Sequence, residues 1–297
     1  MADKIYDSLI IGGGPAGLTA GIYLVRFLRD TIILDEGESR AAQIPESHNY
    51  PGFKGIGGRE LLKRLREQFA AYDGRMHAAR VTELAKEEAI FTARAGNDVF
   101  RARTVLMATG LVDEAPAMPS IGEGLRAGWL RYCPICDGYE ARDQRIGVIG
   151  PLAQAGSKSL FLRTYSRNVT AILTDDTMPD GKSDELARSG VTVVFAPQDI
   201  RQDGKHVAVM LRDGRTLTLD VLYPALGCEV RSDLARRLGA ESATVGTLKV
   251  DDHQRTSVPG LFAAGDVVSD LHQLSVATGH AAVAATAIHN ALERNPR

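Results

Sequence analysis

The sequence lacks both a strong excess of charge of one sign and any long apolar run. Its 297 residues carry a net charge of −2, which gives no reason to expect nucleic acid or an anionic membrane as a partner. Its longest apolar segments are shorter than the roughly 20 residues that a membrane-spanning helix needs. Asp3, Lys4 and Asp7 interrupt the start of the chain, so no secretory signal is expected and the predicted location is the cytoplasm.

Cysteine is scarce as well, and the positions of the three cysteines argue against a structural metal site. A structural zinc ion needs four ligands, usually from a second cysteine pair or a closely spaced histidine pair. The third cysteine, Cys228, stands alone, and no two histidines have His-x3–5-His spacing. We therefore predict no metal, and we interpret Cys228 as a core residue.

The most informative segment that is present is Cys133-Pro134-Ile135-Cys136-Asp137-Gly138. In a cytosolic protein, two thiols separated by two residues indicate redox chemistry or metal binding more often than a structural disulfide. Thiol–disulfide exchange needs a thiolate to attack and a proton for the leaving sulfur. Asp137 stands next to Cys136 and could supply that proton. Two thiols buried by chance are the structural alternative.

A second strong pattern lies at the start of the chain. Residues 5–11 read as a buried strand, Gly12-x-Gly14-x-x-Gly17 follows, a helix pattern comes next, and the strand 31–34 ends at Asp35. In such a βαβ unit the first glycine allows the tight turn, the second lets backbone approach a pyrophosphate, and the third allows helix to pack on strand. Asp35 could accept a hydrogen bond from a ribose hydroxyl.

A similar alternation recurs in the middle of the chain. Residues 145–149 read as a strand, 150–156 as a turn, 157–165 as a helix and 169–173 as a strand, and the chain ends in an alanine-rich helix near 275–292. The predicted fold class is α/β with two Rossmann-like dinucleotide-binding domains. The first domain is discontinuous and comprises residues 1–112 and 247–297, and the inserted middle domain comprises residues 118–243.

Five motifs in order resemble the low-molecular-weight thioredoxin reductases, and the resemblance covers nearly the whole chain. They are Gly12 to Gly17, Asn49 to Phe53, Ala108 to Gly110, Cys133 to Gly138, and Gly265-Asp266. The resemblance implies FAD in the discontinuous domain and a redox disulfide in the middle domain. It assigns Cys136 as the thiol nearer the flavin, Cys133 as the thiol that attacks the partner, and Asp137 as the acid.

The resemblance also implies a set of cofactor-binding residues, with Asp266 at the ribityl chain and His272-Gln273 at the flavin ring. The set comprises Gly12, Gly14, Pro15, Ala16, Gly17, Asp35, Gln43, Asn49, Val81, Ala108, Thr109, Gly110, Gly265, Asp266, His272, Gln273 and Leu274. A helix that starts near Ser275 would direct its positive end towards a reduced, anionic flavin.

The middle domain departs from the family pattern at its nucleotide-binding turn. In place of Gly-x-Gly-x-x-Ala the chain has Gly150-Pro151-Leu152-Ala153-Gln154-Ala155. Leu152 replaces the glycine that lets backbone approach a pyrophosphate, and Pro151 lacks an N–H donor. Asp175 and Asp176 follow the next strand where the family has arginines, and they would repel a 2′-phosphate. NADPH is therefore not expected, whereas Asp175 could accept from the plain ribose hydroxyl of NADH, and the altered cleft could hold a second FAD.

These residues leave three hypotheses for function. The favoured one is an FAD-dependent dithiol/disulfide oxidoreductase that does not use NADPH, with the direction of electron flow open. Its partner would be a thioredoxin-like protein, a small thiol or a ferredoxin. The second is an NAD(P)H-dependent thioredoxin reductase, and the third is a non-catalytic flavin redox sensor, which would not need Asp137. The resemblance also favours a homodimer. Trp129, Tyr132 and Tyr139 flank the disulfide and could stack on a flavin ring or pack in the core.

Overall fold

Two compact units make up the chain in a computed structural model that describes residues 4–118, 121–175 and 182–295. Unit 1 comprises Met1–Ile44, Tyr50–Val112 and Glu229–Arg297, and unit 2 comprises Pro45–Asn49 and Asp113–Cys228. The chain leaves unit 1 after residue 112 and returns to it at residue 229. Val230, Ala235 and Ala240 are buried in a core cluster of unit 1. The domain bounds 1–112, 118–243 and 247–297 stay predictions.

The first part of unit 1 alternates strands and helices and then continues as a run of strands. Its elements are β1 (Ile5–Ile11), α1 (Pro15–Arg26), β2 (Thr31–Asp35), a 3₁₀ helix (Arg40–Gln43), α2 (Gly58–Ala70), β3 (Arg75–Ala78), β4 (Val81–Glu87), β5 (Ile90–Ala95), β6 (Asp98–Met107) and β7 (Leu111–Asp113). The predicted strands at 5–11 and 31–35 are confirmed.

Unit 2 carries the disulfide segment and a second set of alternating elements. They are α3 (Ile121–Ala127), α4 (Pro134–Asp137), a 3₁₀ helix (Tyr139–Ala141), β8 (Ile146–Gly150), α5 (Leu152–Leu162), β9 (Val169–Leu173), α6 (Lys182–Arg188), β10 (Thr192–Phe195), β11 (Pro197–Asp203), β12 (His206–Leu211), β13 (Thr216–Leu219) and β14 (Val221–Pro224). The helix predicted at 157–165 begins earlier, at Leu152, and this shortens the turn after β8.

The chain then returns through β15 (Cys228–Val230) to the second part of unit 1. The remaining elements are α7 (Asp233–Arg237), β16 (Leu261–Ala263), a 3₁₀ helix (Gly265–Val267) and α8 (Leu274–Ala291). The predicted C-terminal helix is confirmed. Cys228 is half-buried rather than a core residue. Over the ranges that the structure describes, no helix is long and apolar enough to cross a membrane.

The sheet of unit 1 has the strand order β3-β2-β1-β6-β5-β4, and β16 also pairs with β6. Strands β3, β2, β1 and β6 are parallel, and their side chains alternate between two core clusters. Ile10 points to the cluster that includes α1 and α8, whereas Leu9 and Ile11 point to the other cluster. A sheet buried on both faces explains why these strands read as continuous apolar runs.

Unit 2 contains a smaller parallel sheet with the order β10-β9-β8-β14 and an antiparallel sheet, β11-β12-β13. In both units the first strand lies between the second strand and a later one, so the strand order reverses at the carboxyl end of β1 and of β8. Ligands of doubly wound α/β proteins bind at such switch points. The predicted α/β class with two Rossmann-like domains is confirmed.

Candidate active site

The turn after β1 has the shape that its three glycines predict. Gly12 has φ = +107°, and a Cβ added there would overlap the carbonyl oxygen of Ala108. A Cβ added at Gly17 would overlap the carbonyl oxygen of Gly12, because α1 packs closely on β1. The predicted segment Ala108 to Gly110 therefore lies against the first glycine turn, where β1 and β6 end side by side.

The N-terminus of α1 lies open beyond this turn. Gly14 is its N-cap without a side-chain cap, and Pro15 is its first residue. The nearest atom to a Cβ added at Gly14 would be the Ser39 hydroxyl oxygen, 3.2 Å away. Helix N-termini with unpaired N–H groups attract anions. This N-terminus is thus suited to a phosphate group that approaches the backbone at Gly14.

Asp35 lies at the end of β2 and is buried beside the same turn. Its Oδ1 accepts a hydrogen bond from the Gly13 N–H at 2.9 Å. Its other oxygen, Oδ2, lies 3.7 Å from Nη2 of Arg66. Asp35 is therefore fixed in orientation beside the turn, in the position where a ribose diol binds in dinucleotide-binding folds.

Gly265 and Asp266 come to the same end of unit 1 from the far end of the sequence. Gly265 has φ = +83°, and an added Cβ would lie 3.0 Å from the Ala16 Cβ. Asp266 Oδ2 forms an ion pair with Arg40 Nη1 at 3.2 Å. The structure thus brings Ala16, Asp266 and the 3₁₀ helix Arg40–Gln43 together.

The remaining predicted flavin residues of unit 1 occupy separate positions. Gln43 is exposed at the end of its 3₁₀ helix, whereas Val81 is buried in the core cluster of β4. His272 and Gln273 precede α8, with Gln273 as its N-cap, and Leu274 is its first residue. Thr109 Oγ1 donates to the Arg231 carbonyl oxygen at 2.6 Å, which fixes the loop after β6. The roles of these residues at a flavin stay predictions.

FAD fits what these residues offer. A backbone cradle at Gly14, an open helix N-terminus and a buried carboxylate at Asp35 match a pyrophosphate followed by a ribose. FAD would be held by Gly12, Gly14, Asp35 and Asp266 and would supply two-electron redox chemistry. Helix α8 would present its positive N-terminal end to an anionic group.

Unit 2 holds the two cysteines of the predicted redox pair. Cys133 and Cys136 form a disulfide, with their Cα atoms 5.3 Å apart. Cys133 is the N-cap of α4, and its Sγ accepts from the Cys136 N–H at 3.2 Å. Asn49, predicted as a flavin residue, belongs to unit 2, and its Nδ2 donates to the Ile135 carbonyl oxygen at 3.3 Å. The residues around the disulfide therefore form one local structure.

Asp137 is half-buried next to Cys136 and accepts a hydrogen bond from the Tyr223 hydroxyl at 2.8 Å. Burial raises the pKa of the Asp137 carboxyl to about 6, although the hydrogen bond from Tyr223 and the charge of Arg131 oppose that rise. A carboxyl with a pKa close to neutral can both give and take a proton, as acid–base catalysis requires. Cys133 at the N-cap of α4 and Cys136 and Asp137 within α4 thus lie close together, and their catalytic roles stay predictions.

The aromatic residues near the disulfide divide between core and surface. Trp129 is buried in a core cluster of unit 2 with Leu130 and Ile149, so its ring packs rather than stacks on a ligand. Tyr132 is half-buried. Tyr139 is 61% exposed, and the Arg142 guanidinium lies 3.9 Å from its ring centre.

The turn after β8 differs from the turn after β1, as its sequence predicts. Gly150 has φ = +157°, and an added Cβ would overlap the Ala225 carbonyl oxygen, as at Gly12. Pro151 is the N-cap of α5, and the Leu152 N–H donates to Asp175 Oδ2 at 2.6 Å. The Leu152 side chain packs against the core cluster of unit 2. Asp176 lies outside the described residues.

Most of the chain matches one known family. The model described as "Pyridine nucleotide-disulphide oxidoreductase" matches residues 6–286. The chain belongs to the pyridine nucleotide-disulphide oxidoreductase family. It is 32% identical over 299 residues to a thioredoxin reductase of Mycolicibacterium smegmatis, and the match covers 96% of each chain.

Solved structures agree with this family. The crystal structure of HlmI superimposes with a TM-score of 0.91 at 27% identity and covers 97% of this chain and 93% of that chain. A thioredoxin reductase from Streptococcus pyogenes superimposes with a TM-score of 0.87 at 25% identity and covers 97% and 98%. The resemblance to low-molecular-weight thioredoxin reductases is confirmed, and the chain is a flavin-dependent disulfide oxidoreductase.

Two residues that contact predicted site residues were not identified from the sequence. Arg40 pairs with Asp266, 226 positions away, and Tyr223 donates to Asp137 across 86 positions. The positive charge of Arg40, three residues before the predicted Gln43, could have indicated a phosphate contact. Tyr223 gave no signal, because a tyrosine in a buried strand reads as core.

Proposed function

We propose that the chain exchanges electrons between FAD and the Cys133–Cys136 disulfide and takes them from a dithiol rather than from NADPH. The observation that carries this proposal is the N-terminus of α5. Its first N–H is occupied by the Asp175 carboxylate, and its N-cap is Pro151, which has no N–H. In unit 1 the equivalent end of α1 is open at Gly14.

The Asp175 carboxylate also opposes an NADPH phosphate electrostatically. A negative charge at the helix N-terminus compensates the same partial positive charge that would attract a pyrophosphate. A 2′-phosphate on the neighbouring ribose would meet this carboxylate, and like charges in contact cost several kcal/mol. Asp35 differs from Asp175, because it bonds to the Gly13 N–H, one residue before the N-cap of α1, and leaves that helix end open. Only NADPH carries a 2′-phosphate, so Asp175 opposes NADH or a second FAD less than it opposes NADPH.

The names of the relatives support one choice of partner. Several are thioredoxin reductases, so a thioredoxin-like dithiol protein is the first candidate partner. A small dithiol is the second candidate and a ferredoxin the third. We also propose a homodimer in the cytoplasm, which light scattering during size-exclusion chromatography and cell fractionation would test.

The decisive experiment is anaerobic stopped-flow spectroscopy of the yellow holoenzyme. Mixing with a dithiol should bleach the flavin, whereas NADPH should bleach it far more slowly than the about ten turnovers per second of a typical enzyme. Cys133→Ser and Cys136→Ser should abolish the response to the dithiol, and Cys228→Ser is the matched control that should keep it. Rapid bleaching by NADPH would instead support an NADPH-dependent thioredoxin reductase.

The cysteine variants also report on the pairing with the flavin. Cys133→Ser leaves Cys136 as a single thiol, which we expect to form a thiolate and give a long-wavelength charge-transfer band with oxidised flavin. Unchanged spectra in both single variants would contradict the assignment of this disulfide to the flavin. A flavin-to-chain ratio near one would exclude a second FAD but would leave the rest of the proposal standing.

A further inference from the structure

Tyr223 lies on β14, which carries none of the five family motifs. Its side chain bonds to Asp137, the predicted acid of the redox site. Its hydroxyl donates to Asp137 Oδ1 at 2.8 Å and lies 3.4 Å from the Asp137 carbonyl oxygen. Arg131 Nη1 donates to the same carbonyl oxygen at 2.9 Å. Asp137 is therefore fixed by its side chain and by its backbone next to Cys136.

The hydroxyl of Tyr223 forms its hydrogen bond inside the core of unit 2. The ring is fully buried on β14, and phenylalanine would fill nearly the same volume. A buried hydroxyl is costly unless it forms a hydrogen bond, and the bond here goes to the carboxyl beside the disulfide. Burial and the Asp137 carboxylate raise the pKa of the Tyr223 phenol, so it remains a donor.

The charged groups around Asp137 act in opposite directions on the ionisation of its carboxyl. Burial and the nearby Glu140 favour the protonated carboxyl, whereas Tyr223, Arg131 and Lys158 favour the carboxylate. Lys158 on α5 is held by the carbonyl oxygens of Tyr132 and Pro224 at 3.1 and 2.7 Å. The Tyr223 side chain bonds directly to the carboxyl oxygen.

We propose that Tyr223 is a positioning residue that keeps Asp137 ionised near neutral pH and so sets the pH range in which a thiol exchanges with the disulfide. This inference rests on the proposed dithiol reaction. In the first step the attacking thiol gives its proton to the Asp137 carboxylate, and its sulfur bonds to Cys133 Sγ. The Cys133–Cys136 bond breaks, its electron pair stays on Cys136 Sγ, and Asp137 can pass the proton to that sulfur.

Removal of the hydroxyl should make Asp137 harder to ionise. A hydrogen bond to a charged group is worth enough to shift a pKa by about one unit. In Tyr223→Phe the carboxyl should therefore titrate about one pH unit higher than in the wild type. Infrared difference spectra of the holoenzyme, with Asp137→Asn to assign the carboxyl band, measure this shift directly.

The kinetic test is the ratio of the Tyr223→Phe rate to the wild-type rate for reduction of the disulfide by dithiothreitol. The titration of dithiothreitol itself is the same for both proteins and cancels in the ratio. The ratio should be about one tenth at pH 5 and rise to about one at pH 8.5, as the carboxylate fractions of the two proteins converge. Mass spectrometry of the alkylated thiols follows the reaction without use of the flavin.

Two controls separate positioning from packing. Tyr165→Phe removes the hydroxyl of a ring that lies beside Gly138 but makes none of the described hydrogen bonds to Asp137, so its ratio should stay near one at every pH. In an Asp137→Asn background, Tyr223→Phe should have no further pH-dependent effect. A ratio that does not change with pH, or a shift that persists in that background, would overturn the inference. Failure of the dithiol to bleach the flavin would reject the proposed function and leave this measurement intact.

Discussion

Gly12 and Gly14 lie two residues apart in one turn, and the structure predicts opposite consequences for replacing them with alanine. Gly14 has an ordinary φ of −77°, and the nearest atom to an added Cβ would be the Ser39 oxygen at 3.2 Å. Alanine at a helix N-cap costs up to about 1 kcal/mol relative to glycine. Gly14→Ala should therefore fold with nearly the stability of the wild type.

The same methyl group would occupy the space through which a pyrophosphate approaches the backbone. Loss of one or two charge-assisted hydrogen bonds to the phosphate weakens binding by about 1.5–3 kcal/mol. This corresponds to a 10- to 150-fold rise in the FAD dissociation constant, by the usual conversion of about 1.4 kcal/mol per tenfold. Gly14→Ala should purify with less flavin than the wild type.

Gly12→Ala should instead damage the fold. Its φ of +107° costs a side-chain-bearing residue about 1–2 kcal/mol, and the overlap with the Ala108 carbonyl adds about 1–3 kcal/mol. The sum, about 2–5 kcal/mol, is a large share of the about 5–15 kcal/mol that stabilises a typical domain.

Urea unfolding of the flavin-free proteins and FAD titration by fluorescence separate the two effects. Gly14→Ala with wild-type affinity for FAD would refute the assignment of this turn to the pyrophosphate. A flavin-free Gly12→Ala as stable as the wild type would refute the steric reasoning.

Three further predictions concern ionisable side chains. Because the pKa of Asp137 is raised from its ordinary value near 4 to about 6 in the folded protein, its ionisation opposes folding increasingly between about pH 4 and pH 6 and fully above pH 6. Asp137→Asn should therefore raise the unfolding free energy by about 1–3 kcal/mol at pH 8 and by almost nothing at pH 4, as chemical denaturation would measure. The hydrogen bond from Arg145 lowers the pKa of Asp220 to about 2, so its contribution is present above pH 4 and lost as the pH falls towards 2. Asp220→Asn should cost about 1 kcal/mol at pH 7 and nothing at pH 2, and an equal cost at both would contradict the ion pair. Buried Arg29 donates to the carbonyl oxygens of His289 and Glu293 at 3.0 and 2.9 Å, and Arg29→Met should lower stability by about 2–4 kcal/mol and increase hydrogen exchange at the end of α8.

Local sequence was sufficient for the parts of this protein that depend on neighbouring residues. The βαβ unit from Ile5 to Asp35 could be predicted because its strand, glycine turn, helix and acid follow within one short segment. The pairing of Cys133 with Cys136 could be predicted because the two cysteines are spaced to form one small disulfide ring. The departure from the family's nucleotide-binding pattern at Leu152 and Asp175 could also be seen in the sequence, because that pattern has fixed positions there.

The tertiary structure alone decided contacts between distant segments. It joined Tyr223 to Asp137, and Arg40 to Asp266. It placed residues from 229 onward in unit 1, because Val230 and Ala235 of α7 pack into a core cluster of that unit. Helix α5 begins at Leu152, because the Asp175 carboxylate accepts from its N–H. Such contacts leave no periodic trace in the sequence, since their free energy arises only when separate strands and helices remove the same side chains from water.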